Sequence, residues 1–312
     1  EEGLRQLEGK QPSDPSEVDW RRASRPFGQN CGFTLAESAQ FVVLMDDALA
    51  LQLGAEVHGA VPDVFINADG FKKSISAPGP GNYLTMAKAV ASAIQIVGEE
   101  SVRQHSFVHA HGSSTPANRV TEPELLDRIA ATFGIHAWPV TAAKAYVGHS
   151  LASASADQLV SALGSFKYQI IPGIKTIDAI ADDVHQQHLR ISTTNTRRDE
   201  QPLEVCFINS KGFGGNNASA VVLAPQVVDR MLEKRYGAQR FADYCALREH
   251  TRAAASRYDQ QAQTGQFNIL YNFGNDQIDD QQLQMTAQQI QVPGFRQPLV
   301  FSKDPRFSDM LD

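Results

Sequence analysis

The spacing of hydrophobic and polar residues alternates between two periods along most of this chain. Runs enriched in β-branched and aromatic residues predict strands, whereas apolar residues three or four positions apart predict helices. The predicted strands span residues 33–45, 57–69, 106–111, 136–144, 205–215 and 217–225, and the predicted helices span residues 46–54, 82–97, 122–134 and 149–168. Strands that alternate with helices predict a layered α/β fold with parallel strands. The last two strands flank a glycine-rich turn and are expected to pair as an antiparallel hairpin.

Capping residues set the expected ends of these helices. An aspartate is expected to cap the start of the first helix and Gly54 to end it. Thr121 is expected to cap the third helix and Gly134 to end it. The sequence SAPGPGN, residues 76–82, predicts a loop before the second helix. The last helix is small or apolar on nearly every side, which is typical of a buried helix.

The two ends of the chain differ from this pattern. Residues 1–30 predict a helix end followed by a polar loop, with SRPFG as a turn. After Pro225, one or two amphipathic helices rich in Arg and Tyr are expected, followed by a Gln-rich irregular segment that contains several prolines. We expect residues 226–312 to form an appendage that packs on a core of residues 31–225.

Composition narrows the class of protein. The chain has 312 residues, 42% of them hydrophobic and 20% charged, which indicates a soluble globular protein of one large or two modest domains. The net charge of -7 argues against a general nucleic-acid binder. No apolar run approaches the roughly 20 residues that span a bilayer. The charged start, EEGLRQLEGKQ, does not resemble a secretory signal and lacks an initiator Met, as in a processed or partial chain.

Two histidines lie beside small-residue turns, where a side chain can reach a pocket. His111 ends a predicted strand before Gly-Ser-Ser, and could donate a hydrogen bond to a carbonyl group. Alternatively, His109 and His111 are satisfied polar groups at a sheet edge. A metal site is disfavoured because no cysteine or third histidine lies at a matching spacing. His149 is expected to open the last helix, whose positive end would keep its imidazole neutral and able to donate.

Three further features carry possible chemistry. Lys144, on a segment predicted to be extended, could pair with Glu122, although a solvated surface lysine is the alternative. The turn in NSKGFGGNNAS, residues 209–219, could present a backbone N–H as an oxyanion hole, or be a tight hairpin. Three scattered cysteines indicate reduced thiols in the cytosol. Cys31 could be a nucleophile, but with no base near it in sequence a buried thiol is the favoured interpretation. Cys206 and Cys245 are expected to be packing residues.

Four segments together resemble the C-terminal half of a β-ketoacyl-acyl carrier protein synthase, a condensing enzyme of the thiolase superfamily. They are SRPFGQNCGFTLAESA, HAHGSSTPANRVTE, KAYVGHSLASAS and NSKGFGGNNAS, in that family's order and spacing, within residues 24–223. The long tail most resembles that of the FabY-type synthases of bacterial fatty-acid initiation.

The resemblance implies a layered α-β-α-β-α fold of two similar halves, of which this chain supplies mainly the second. The nucleophilic cysteine would lie in an N-terminal half, and residues 1–30 would connect to it. The implied function is decarboxylative Claisen condensation of an acyl thioester with malonyl-acyl carrier protein, in fatty-acid or polyketide synthesis. The implied partners are acyl carrier protein, an acyl group carried on CoA or on acyl carrier protein, and a second copy of the chain in a homodimer. No cofactor, metal, nucleic acid or membrane is expected, and the location would be cytoplasmic.

The resemblance also assigns roles to individual residues. His111 and His149 would bind the malonyl thioester carbonyl, and Lys144 would hold the histidine site through Glu122. Phe213, with Gly212 and Gly214, would gate the site and provide an oxyanion-hole N–H. Ser113 and Thr115 would contact the pantetheine arm, and Arg25 would lie at the carrier-protein entrance. The sequence departs from the family at three positions: Lys211 replaces the usual Phe, Arg119 a frequent Asp, and Ser113 a Thr.

Two other functions stay open. A catalytically silent partner of the chain-length-factor type would have this fold, although such proteins typically lose the histidines that this chain keeps. A thiolase or acyltransferase that uses Cys31 is the third hypothesis.

Overall fold

A six-stranded mixed sheet carries the first of two structural units in the computed structural model. The structure describes residues 1–11, 13–72, 79–266, 274 and 277–301. The first unit is Glu1–Arg252 and the second is Ala253–Asp312. In the described part of the first unit, the sheet order is β1-β8-β7-β2-β3-β5.

The helices are α1 (Glu2–Leu7), α2 (Asp47–Leu53), α3 (Gly81–Val97), α4 (Glu99–His105), α5 (Pro116–Phe133), α6 (Lys144–Val147), α7 (Ala154–Tyr168), α8 (Pro225–Tyr236) and α9 (Ala238–Gln263). The strands of the first unit are β1 (Ala60–Ala68), β2 (Ser106–His109), β3 (Trp138–Thr141), β4 (Ile170–Ile171), β5 (Leu189–Ile191), β6 (Thr196–Arg197), β7 (Val205–Gly212) and β8 (Asn216–Leu223). No helix in these described residues is both long and apolar enough to cross a membrane.

Strand direction places the loops that follow β2, β3 and β7 at one edge of the sheet. Strands β7, β2, β3 and β5 are parallel, whereas β8 is antiparallel to both β7 and β1. The carboxyl ends of β2, β3 and β7 therefore meet at the same edge. In open α/β sheets, this edge is where ligands bind.

The hydrophobic core lies between the sheet and its helices. Phe107 and Phe207, on neighbouring parallel strands, are fully buried, as is Trp138 on β3. Their rings pack edge to face with partners, with centroids 5.5 Å apart for Trp138 and Phe207 and 5.8 Å apart for Phe107 and Phe166. Each large apolar side chain buried this way contributes roughly 1.5–3 kcal/mol to folding.

Several predicted elements are present. Helix α2 starts after Asp46, whose carboxylate accepts from Leu49 N, and ends at Gly54 in the left-handed region. Strand β1, helix α3 and the β7–β8 hairpin lie where the sequence predicts them. Residues 76–78 of the expected loop lie outside the described residues.

The strand predicted over residues 33–45 is wrong. Its backbone makes one bridge in the described part of the chain, between Leu35 and His149, and is otherwise irregular. Phe41 is 98% exposed and Val43 is 81% exposed, so the apolar residues that favoured a strand face outward. Side-chain composition does not provide the neighbouring backbone that a strand needs for its hydrogen bonds.

Three local predictions also need correction. Helix α5 is capped by Thr115 instead of Thr121, because the Thr115 hydroxyl accepts from Asn118 N and Pro116 suits the first helical position. Lys144 begins the short helix α6 instead of lying on an extended segment. His149 does not open α7, since a 3₁₀ turn at Leu151–Ser153 separates them.

The second unit contains regular structure that the Gln-rich composition did not predict. Strands β9 (Gln284–Met285), β10 (Gln289–Gln291) and β11 (Leu299–Val300) form a small antiparallel sheet. Its strands are only two or three residues long. Such short strands leave little periodicity in the sequence to find.

Candidate active site

A cavity of about 420 Å³ opens at the carboxyl ends of the parallel strands. Both candidate histidines line it, as does the glycine-rich turn between β7 and β8. The lining residues are Phe33, Asp69, Lys72, His111, Ser113, Thr115, Ala117, Asn118, Thr121, His149, Leu151, Ala152, Lys211, Gly212, Phe213, Gly215 and Asn217. The loops after β2, β3 and β7 thus contribute to one concave site.

The two histidines lie side by side. The ring centroids of His111 and His149 are 5.3 Å apart with an interplanar angle of 80°. Phe33 also packs edge to face against His149, with ring centroids 5.4 Å apart. Residues 33–36 also position His149 through its backbone, because His149 N donates to Thr34 O at 2.7 Å and Ala36 N donates to His149 O at 3.1 Å.

Backbone amides define the proton position on each imidazole. The N–H of Lys211 donates to His111 Nδ1 at 3.3 Å, and the N–H of Leu151 donates to His149 Nδ1 at 3.1 Å. A nitrogen that accepts an N–H carries no proton of its own, so each neutral ring has its proton on Nε2. The site therefore holds two imidazoles in the same tautomer, each with an Nε2–H to donate.

Both rings are neutral at physiological pH. Burial, with smaller contributions from the charges of Lys144, His149 and Lys211, lowers the pKa of His111 well below its usual value. Burial and the Lys144 charge lower the pKa of His149 to about 4. The sequence-based argument reached the same charge state from a helix dipole, which is not the cause here, because α7 begins five residues after His149.

The low pKa of His149 has a direct spectroscopic test. Its pKa is depressed, so the ring stays neutral as pH falls through 6.5 and gains a proton only near pH 4. We expect the imidazole C2–H of His149 to titrate by NMR with a midpoint near 4, assigned by its loss in His149→Ala. A midpoint close to 6.5 would contradict this environment.

Glu122 is the buried centre that holds the His111 loop. This carboxylate is completely buried and accepts from His111 N at 2.7 Å and Gly112 N at 2.9 Å. It also accepts from the side-chain amides of Asn118 at 2.8 Å and Asn209 at 2.5 Å. Four donors converge on one charge, which compensates for its removal from water.

Lys144 holds the same loop from the other side. Its ammonium is buried and donates to the His111 carbonyl oxygen at 2.8 Å. Burial lowers its pKa to about 8, and the negative charge of Glu122 opposes this decrease. The expected pairing of Lys144 with Glu122 is therefore indirect: each group binds the backbone of His111 through its own hydrogen bond.

The glycine-rich turn forms one wall of the cavity. Phe213 is 75% exposed on it, while Gly214 and Gly215 have φ values of 81° and 90°, where a side chain would be strained. Gly212 and Gly215 line the cavity and Gly214 does not.

Asp69, which the sequence analysis missed, anchors this turn. Its backbone N–H donates to Gly215 O at 2.8 Å, and its carboxylate accepts from Asn217 Nδ2 at 2.8 Å and Gly81 N at 3.0 Å. Its other carboxylate oxygen lies 3.0 Å from Lys72 Nζ. An aspartate at a strand end is a common turn residue, so its sequence context gave no functional signal.

Gln158 is a second residue that sequence reasoning missed. It is a fully buried amide in the middle of α7, and its Nε2 donates to the carbonyl oxygens of His109, Ala110 and Asn209 at 2.8–3.0 Å. It therefore ties α7 to the ends of β2 and β7, next to His111. The available signal was a long polar side chain within a helix that the sequence predicts to be buried.

Of the other predicted site residues, some line the cavity and some do not. Ser113 Oγ and Thr115 Oγ1 are 3.1 Å apart on the cavity wall. Arg25 lies outside the lining and donates through Nε to Gln29 O at 2.7 Å, so its role at an entrance stays a prediction. Cys31 is exposed, which corrects the expectation of a buried thiol, and does not line the cavity. In the described part of the chain, no three His, Cys, Asp or Glu residues are grouped as metal ligands.

Comparison with known proteins identifies the family. Residues 58–178 match the family model of the β-ketoacyl synthase C-terminal domain. The chain is 70% identical to β-ketoacyl-[acyl-carrier-protein] synthase FabY of Pseudomonas aeruginosa, over 100% of this chain and 48% of that protein. It is 29% identical to 3-oxoacyl-[acyl-carrier-protein] synthase 2 of Vibrio cholerae, over 64% of this chain and 47% of that protein. The chain thus spans about half the length of these curated relatives.

Solved structures have the same fold. The crystal structure of the noncanonical ketosynthase FabY from P. aeruginosa matches with a TM-score of 0.91 and 70% identity, over 100% of this chain and 48% of that chain. A type II polyketide ketosynthase, in the AntDE:AntF complex with its acyl-carrier protein, matches with a TM-score of 0.55 and 20% identity, over 67% of this chain and 49% of that chain. This second likeness concerns the fold alone. By sequence and by fold, this chain belongs to the β-ketoacyl synthase family and carries its C-terminal domain, in the thiolase-like α/β fold.

Proposed function

We propose that this chain carries the decarboxylation site of a β-ketoacyl-acyl carrier protein synthase. The observation that supports this most is the pair of neutral imidazoles, with ring centroids 5.3 Å apart, at one cavity. In each ring, a backbone amide occupies Nδ1 and leaves Nε2–H as the donor. Two such donors suit an oxygen atom that gains negative charge during a reaction.

The chemistry follows from these donors. In a malonyl thioester, the bond between the α carbon and the carboxylate breaks, and CO₂ leaves. The electron pair forms an enolate whose charge lies largely on the thioester oxygen, where His111 and His149 would donate their hydrogen bonds. The α carbon then attacks the carbonyl carbon of an acyl group held on a cysteine, and the cysteine thiolate departs. The reaction balances without a cofactor.

Neutral donors matter because they stabilise the enolate without transferring their protons. An imidazolium would protonate the enolate and stop carbon–carbon bond formation. The low pKa values of both histidines support a neutral pair at physiological pH. Glu122 and Lys144 would hold His111 in place, because both bind its backbone.

The rest of the synthase would cover an exposed apolar surface. Val64 and Ile66 of β1 are 55% and 76% exposed, and Phe41 is almost fully exposed. Val64 and Ile66 are two residues apart and so share one face of β1, and exposed apolar residues that adjoin one another are expected at an interface. We assign the site to residues 31–225, with residues 1–30 as a connection to a half that carries the nucleophilic cysteine, and residues 226–312 as an extension. A homodimer, acyl carrier protein and acyl-CoA or acyl-carrier protein would be the partners in the cytoplasm.

Product analysis would test this function. The complete synthase that contains this chain is incubated with malonyl-acyl carrier protein and an acyl thioester, and the β-ketoacyl product and CO₂ are measured. We expect both, in equal amounts. Neither product, with an intact fold by circular dichroism, would favour the silent partner of the chain-length-factor type. Product that survives loss of both histidines but stops on alkylation of Cys31 would favour the third hypothesis.

A further inference from the structure

We infer that Lys211 binds the carboxylate of the dicarboxylic thioester in this site, and so selects the malonyl-type substrate over its monocarboxylic counterpart. This inference rests on the proposed function. The family resemblance places a phenylalanine at this position, so an ammonium group changes what the cavity can hold.

The position of Lys211 supports this role. It is the second-last residue of β7, its side chain is half-buried, and it lines the same cavity as both histidines. Its backbone N–H donates to His111 Nδ1, so the residue lies directly beside the proposed thioester-oxygen site. The charge of Lys211 contributes to the lowered pKa of His111, which indicates that the ammonium is close to the ring.

Charge balance in the cavity leaves this cation available. The lining residues with formal charges are Asp69, Lys72 and Lys211. Asp69 and Lys72 form an ion pair at 3.0 Å, and Asn217 also donates to Asp69. Lys211 pairs with no carboxylate in the described part of the chain. With the histidines neutral, the lining residues that the structure describes have a net charge of one positive unit, and an anionic group of the substrate would balance it.

The substrate offers two anions at different places. A malonyl carboxylate is attached to the α carbon, next to the carbonyl that His111 and His149 would bind. The phosphate of a phosphopantetheine arm lies at the far end of that arm from the thioester. Because Lys211 adjoins His111 itself, the carboxylate is the better match. This contact acts before CO₂ leaves, so it should improve substrate binding without accelerating the chemical step.

Binding of amide analogues would test the inference without turnover. Malonyl-pantetheine and acetyl-pantetheine, each with nitrogen in place of the thioester sulfur, are titrated into the complete synthase by calorimetry. We expect the wild type to prefer the malonyl form by roughly 10- to 100-fold, as for a hydrogen bond to a charged group. Lys211→Met should bring the ratio close to one, while Lys211→Arg should retain most of it. Lys167→Met, at an exposed position on α7, is the matched control.

Three results would overturn the inference, and one of them also bears on the proposed function. If Lys211→Met keeps the wild-type preference, Lys211 does not bind the carboxylate. If the variant weakens both analogues equally, and only when they carry the 4′-phosphate, the cation binds the arm instead. If neither analogue binds to the wild type, the proposed thioester site itself is wrong.

Kinetics provides an independent measurement. In CO₂ release from malonyl-acyl carrier protein, Lys211→Met should raise KM roughly 10- to 100-fold and should not lower kcat, because the contact is lost as CO₂ leaves. A variant with unchanged KM and lowered kcat would contradict a binding role.

Discussion

We expect His149→Ala to lower the rate of CO₂ release from malonyl-acyl carrier protein by roughly 100- to 1,000-fold, the usual effect of losing one oxyanion donor. The reason is that the enolate oxygen would keep one of its two imidazole donors. His111 should remain positioned, since Glu122 and Lys144 bind its backbone independently of His149. The rate is measured on the complete synthase with saturating substrate.

The control for this variant is His250→Ala, because His250 is an exposed histidine on α9, far along the chain from the cavity loops. It should retain normal activity. Near-normal CO₂ release by His149→Ala, with its fold intact by circular dichroism, would refute the assigned role.

Removing the Glu122 carboxylate is expected to have the largest effect on stability. Glu122→Ala would leave two backbone N–H groups and two side-chain amides without their acceptor in a fully buried place. Breaking a buried charged network from one side typically costs about 3–5 kcal/mol of the free energy of unfolding. Glu122→Gln keeps the volume but replaces one acceptor by a donor, so an intermediate loss of about 2 kcal/mol is expected.

Urea denaturation would measure both variants. Glu124, on the same helix and two residues later, is only half-buried, which makes Glu124→Ala the matched control. Its stability should change by about 0.5 kcal/mol or less. A Glu122→Ala variant as stable as this control would mean that Glu122 does not hold the His111 loop together.

Local patterns predicted much of the fold. Asp46 caps the start of α2 and Gly54 ends it. Both could be predicted because a cap and a left-handed glycine act on helix residues only a few positions away. The β7–β8 hairpin was similarly clear from two apolar runs around a glycine-rich turn. These features depend on residues close in the chain, which a single sequence displays directly.

The failures concern contacts between distant residues. The segment 33–45 has strand-like residues, yet its main contribution is a bridge that positions His149, more than a hundred residues away. Helix α5 starts earlier than predicted, and so places Glu122 inside a helix that faces the His111 loop. The sequence suggested a Lys144–Glu122 pair, but the backbone of His111 lies between them.

In the candidate site too, features that are local in the sequence were predicted, and features that depend on contacts between distant residues were not. Motifs brought His111, His149 and the glycine-rich turn into consideration. The tautomers depend on the amides of Lys211 and Leu151, and no residue pattern reveals where those N–H groups point. Asp69 and Gln158 were missed because each acts through backbone atoms of another element.

A crystal structure of the complete synthase with malonyl-pantetheine amide would test the central claim most directly. The account predicts the amide oxygen within about 3.2 Å of Nε2 on both His111 and His149, a normal hydrogen-bond distance. An analogue whose carbonyl oxygen points away from both rings would contradict it.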